Sequence, residues 1–138
     1  MTKTILPING PMAISDTVKG AAAFSMATRV GDLLFISGQL AVDKDMKIVG
    51  KGDMRVQTRE VLKYIKYVLG WAGGTPSDIA KLTVFVSDIS KFREIHDERL
   101  EFFQGHDLPA STMVEVSKFV HPDALIEIDA IAVLRSTA

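Results

Sequence analysis

The 138 residues contain no cysteine, which excludes disulfides, a thiolate nucleophile, a thiolate metal cluster and a CxxC redox pair. That absence is compatible with a reducing cytosol. A surplus of charge is missing too: 16 Lys+Arg stand against 17 Asp+Glu, a formal charge of -1. No net positive field gathers phosphates, which argues against a dedicated nucleic-acid binder and leaves room only for a local basic patch. No apolar run approaches the ~18 residues of a membrane span. The opening MTKTILPINGPMAISDTVKGAAAF holds an apolar run of only Ile5-Leu6 before Pro and Gly, so it lacks the hydrophobic stretch of a signal peptide. A cytoplasmic location with no membrane partner is the resulting expectation. Gly/Ser-rich or Pro-rich linkers and internal repeats are also lacking. The chain therefore reads as one domain over 1–138, with residues 1–20 the least patterned.

What is present is enough apolar material for one core. Hydrophobic residues make up 47% of the chain, and a chain of this length buries roughly 65–70% of its unfolded surface without staples. Residues 24–30 and 33–37 read as two strands around Gly31-Asp32, because glycine supplies the positive φ of a tight turn. Short apolar pieces at Leu40–Val42 and Lys47–Val49 suggest a further strand or an irregular loop. From Asp53 to about Ala72, Val56, Val61, Leu62, Ile65, Val68 and Leu69 follow helical spacing. Gln57, Arg59, Glu60, Lys63 and Lys66 fall to the polar side, with Asp53 as N-cap and Gly73-Gly74 as the stop. Thr75-Pro76 opens a short turn before a buried strand, Lys81–Val86. Ser90 then caps a second helix, Lys91–Gln104, whose apolar set is Phe92, Ile95, Phe102 and Phe103. Met113, Val114, Val116 and Phe119 make one closing strand, and Leu125–Leu134 the other.

This order places two helices on one face of a mixed sheet, an α+β arrangement. No third helix is available for the other face, and the last strand is apolar on both parities. Subunit association is therefore the expected cover.

Several separated segments then appear in a characteristic order: LLFISGQL (33–40), Gln57-Thr58, KLTVFVSDISKF (81–92), Glu101-Phe102-Phe103, PASTMVEV (109–116) and IEIDAIA (126–132). Together they resemble the RidA (YjgF/YER057c/UK114) family over nearly the whole chain from about residue 20 to 135. The resemblance implies a chorismate-mutase-like fold assembled as a homotrimeric barrel, with a small-molecule cleft at each subunit interface. It further implies hydrolysis of reactive enamines and imines, such as 2-aminoacrylate, to a keto acid and ammonia, with no metal and no organic cofactor.

The resemblance also assigns residues. Glu127 matches the carboxylate that activates water, and Gly38 the point where backbone approaches the ligand. Ser111 stands where the family's P-A-R-S pattern has the arginine that grips the substrate carboxylate. Phe24 stands in place of a tyrosine, His96 in place of an asparagine, and Met113 is a pocket or core residue. Arg99 and Lys118 are the candidate replacement cations. Each residue also has a plainer role: Glu127 as a solvent-facing strand residue, Gly38 as a bulge, His96 at the core border, Arg99 and Lys118 on solvated faces. His106 and His121 sit in turn-like sequence, and the three histidines have no metal-ligand spacing. Two functions stay open, an imine or enamine hydrolase acting on a substrate other than 2-aminoacrylate and a non-catalytic ligand-binding trimer. An endoribonuclease ranks behind both, since neither a basic surplus nor a histidine acid/base pair is legible.

Overall fold

The computed structural model describes residues 2–5 and 24–135. These form six strands, β1 (Lys3–Ile5), β2 (Ala27–Val30), β3 (Leu33–Gln39), β4 (Ile79–Val86), β5 (Ala110–Glu115) and β6 (Ile126–Val133), and two α-helices, α1 (Met54–Trp71) and α2 (Phe92–Phe102). One sheet holds all six strands in the order β1-β2-β3-β6-β4-β5. Every neighbouring pair is antiparallel except β4–β5. That pair is parallel because α2 intervenes as the crossover that parallel neighbours require.

Local chemistry explains most boundaries. Val30 pairs with Leu33 across the turn, and Gly31 takes φ 58°, a conformation glycine reaches without a Cβ clash. The Asp53 side chain accepts from the Val56 backbone N–H and starts α1. Thr75 and Asp78 form a reciprocal cap around the short 3-10 turn Pro76–Asp78. Leu40–Val49 stays irregular, with a lone bridge between Val42 and Ile48.

Three expectations need correction, and one strand lies where the sequence shows no pattern. β1 was not legible: three exposed residues ahead of Pro7 carry no periodicity, and they form a strand only because β2 offers a free edge. Ser90 does not cap α2. The acceptor is Asp88 Oδ1, which takes both the Ser90 N–H and its hydroxyl and closes a 3-10 turn at Ile89–Lys91 ahead of the helix. Phe119 lies beyond β5 and packs instead with Leu40, Val42 and Ala124. Gln57 is fully buried rather than on the polar side of α1. Its amide donates to Gly50 O and Asp123 O, each at 3.1 Å, and accepts from Leu125 N at 2.9 Å.

Both helices cover one face of the sheet. Val61, Leu62, Ile65, Val68 and Leu69 of α1 and Ile95 of α2 meet Leu34, Ile36, Leu82, Val84, Ile126 and Ile128 in a single core. Side chains alternate along a strand, so the intervening residues point away from the helices. Leu33, Phe35, Val114 and Val133 there stay 40–46% exposed. The helices are tied together by the nearly buried Glu98, which takes a two-pronged ion pair from Arg59 (2.8 and 3.1 Å). No described helix is long and apolar enough to cross a membrane.

Candidate functional site

The residues singled out in the sequence gather in two places. The first is the end of β3, where the register against β6 shifts between Ile36 and Gln39. Ser37 anchors this bulge, its N–H donating to Met26 O (2.9 Å) and its hydroxyl to Ser25 O (2.6 Å). Phe24 immediately precedes that anchor and is 58% exposed. On the adjacent β6, the Glu127 carboxyl lies directly over Gly38: a Cβ at position 38 would stand 2.8 Å from Glu127 Cδ, closer than real contacts allow. Glycine is thus required here for close approach, in addition to whatever the bulge asks of it. Glu127 is half-buried, and burial pushes its carboxyl above the usual carboxylate range, with Asp129 on the same face adding a smaller upward push.

The second place is the gap between α2 and β5. His96, Arg99, Leu100 and Phe103 recur at helical spacing and form one wall of a pocket of about 180 Å³. Leu82, Leu108, Pro109 and Ser111 complete it. The Arg99 guanidinium donates to Ser111 Oγ at 3.0 Å, and burial lowers its pKa with no carboxylate among the described residues opposing the shift. The His96 ring stacks on Phe92 with centroids 5.5 Å apart. A side chain from the helix therefore fills the space next to the hydroxyl that stands where an arginine was expected from the strand.

These two clusters occupy opposite faces of the sheet. Ser111 pairs with Leu82, whose side chain is in the helix-covered core, whereas Glu127 pairs with Phe85 on the open face. Within one chain they lie apart as two separate clusters. Met113 lies on the face of Ser111, half-buried against the core and outside the pocket lining. Lys118 lies beyond the far end of β5, so only Arg99 of the two candidate cations reaches Ser111. His106 bonds Ser77 Oγ and His121 bonds Met46 O, each at 2.9 Å, so the three histidines are engaged separately. Sequence reasoning missed Leu100, Leu108 and Asp129. The repeat of His96, Arg99, Leu100 and Phe103 along one helix face was the available signal for the first.

Comparison with known proteins agrees with this architecture. The family described as Endoribonuclease L-PSP matches residues 14–134. A RutC family protein of Pyrococcus horikoshii is 38% identical over 132 residues, covering 96% of this chain and 98% of its own. Among solved structures, a Rid family protein of Yersinia pestis superposes with a TM-score of 0.84 at 34% identity, covering 96% of this chain and all of that one. Escherichia coli TdcF, solved with bound serine, gives 0.76 at 32% identity over 85% of this chain and 91% of its own. Two helices on one face of a mixed six-stranded sheet define a chorismate-mutase-like α+β domain. The chain belongs to the RidA/YjgF family, the Endoribonuclease L-PSP family of its sequence profile.

Proposed function

We propose that the protein hydrolyses a reactive imine or enamine to a carbonyl compound and ammonia, in a cleft completed by association of three subunits. The observation that carries this reading is the Glu127 carboxyl seated on Gly38 with its proton affinity raised by burial. A carboxylate tuned upward is a better general base for water than a solvated one. In the reaction, Glu127 takes a proton from water as the oxygen adds to the imine carbon. That proton passes to nitrogen, and the carbinolamine collapses to C=O with loss of ammonia. An enamine first gains a proton at its β-carbon to become the imine, so water is the only co-reactant.

The placement of the two clusters on opposite faces of the sheet supports association of subunits as part of this reading. Leu33, Phe35, Val114 and Val133 expose an apolar sheet face that a monomer would leave wet. Association through that face buries it and brings the Gly38–Glu127 face of one subunit to the edge strand of the next. Solved relatives support a site for a small amino-acid-like molecule, since TdcF holds serine. The separately engaged histidines leave no acid/base pair for RNA cleavage.

The test is ammonia and keto-acid release from freshly generated 2-aminoacrylate and from a larger imino acid produced by an amino-acid oxidase, comparing wild type with Glu127→Gln. Turnover of either substrate, cut at least about 100-fold in the variant, supports the hydrolase. A second reading, a ligand-binding trimer without turnover, draws on Ser111 replacing the strand arginine. It is the conclusion if neither substrate is hydrolysed faster than in buffer.

A further inference from the structure

The pocket between α2 and β5 has a composition that specifies more than a generic cleft. Among the described residues its polar groups are a guanidinium, an imidazole and a hydroxyl, with no carboxylate in the lining. Among the described residues Arg99 makes no ion pair, so a half-buried cation faces the pocket with one neutral side-chain partner there, Ser111 Oγ. An unpaired guanidinium taken out of water is costly unless an anion completes it. The remaining lining is apolar, chiefly Leu100, Phe103 and Leu108, and two of these sit beside Arg99 on the same helix face. At about 180 Å³ the space suits a molecule of several heavy atoms, below the ~300–1,000 Å³ of drug-sized sites.

We propose that Arg99, steadied by Ser111, binds the carboxylate of the ligand, and that the apolar wall beside it selects organic acids with a branched or aromatic group over those with only a methyl. The cation comes from the helix rather than the strand. A side chain reaching across from α2 leaves Ser111 as a short hydrogen-bonding rest for the guanidinium and frees the volume that a strand arginine would occupy. The inference rests on the hydrolase reading only for what happens to the ligand after it binds.

Equilibrium binding to the full-length protein, read by calorimetry, tests this with 4-methyl-2-oxopentanoate and pyruvate as probes. The branched acid should bind about tenfold or more tightly than pyruvate, as expected from burying its extra carbons. Arg99→Gln should weaken it about tenfold or more, and Arg99→Lys should recover part, since the charge returns without the planar fork. Leu108 is 74% exposed, so Leu108→Glu should keep the fold while placing a repelling carboxylate at the rim and lowering affinity several-fold. Equal binding by wild type and a folded Arg99→Gln overturns the proposal, as does a preference for pyruvate or binding of neither acid. Ammonia release is read separately. Arg99-dependent binding without turnover leaves this inference standing and removes the hydrolase, whereas turnover untouched by Arg99→Gln does the reverse.

Discussion

Glu127 shows how the role proposed for one residue carries a cost in stability. Its pKa lies above the ordinary 4.5 because burial, and secondarily Asp129, disfavour the charged form. Folding therefore favours the protonated acid. The associated stabilisation is complete below the unfolded pKa and is lost as pH rises through the raised folded value. Ionisation leaves a partly desolvated carboxylate in the native state, and Glu127→Gln removes that burden. Thermal melts from pH 8 down to about pH 4 should show the variant melting above wild type at pH 7, with the gap closing toward the acid end. A wild type that melts higher at pH 7 would mean that the native environment favours the carboxylate after all. Gly38 belongs to the same trade: it gives the carboxyl its seat, and any Cβ there displaces it.

Between elements, Gln57 holds the start of β6 in place. It sits three residues after Met54 and four before Val61, both buried, so its position belongs to the core stripe of α1 even though its residue type does not. The amide joins α1 to Gly50, Asp123 and Leu125, immediately ahead of the strand that carries Glu127. Gln57→Leu keeps the volume and leaves the Leu125 N–H and two carbonyls without this partner. At about 1–3 kcal/mol for an orphaned buried group, the loss in urea unfolding should be about 2–4 kcal/mol. A change under about 0.5 kcal/mol would show that water replaces the amide. Spacing located α1 and its cap correctly, yet two of the three partners of Gln57 lie 66 and 68 residues away, out of reach of any local pattern.

For the whole molecule, the decisive feature is the sheet face that the helices leave bare. Phe35 stands on it at 40% exposure, paired with Ile131 on β6 and Thr28 on β2. Phe35→Glu puts a charge on that face without entering the core. If the proposed trimer forms through this face, light scattering should find monomer for the variant and trimer for wild type, with the far-ultraviolet spectrum of the protomer unchanged and turnover lost. An unaltered trimer would place the subunit contact elsewhere.

Periodicity and turn chemistry in the sequence alone determined both helices, the Gly31 hairpin, the strands β4, β5 and β6, and the expectation of an uncovered face. These follow from near-neighbour rules, in which apolar spacing and backbone preferences act over a few residues. The ordered motifs also led to Gly38, Glu127 and Ser111. Tertiary structure decided the rest. It moved Gln57 into the core, recruited β1 to a free edge, and brought Arg99 from α2 to Ser111 on β5. It also separated Ser111 from Glu127 across the sheet, because strand pairing sets which side of the pleat each residue occupies. Spacing along the chain names the residue types available for chemistry, but which of them meet depends on pairing register and helix docking, and both arise from contacts distant in sequence.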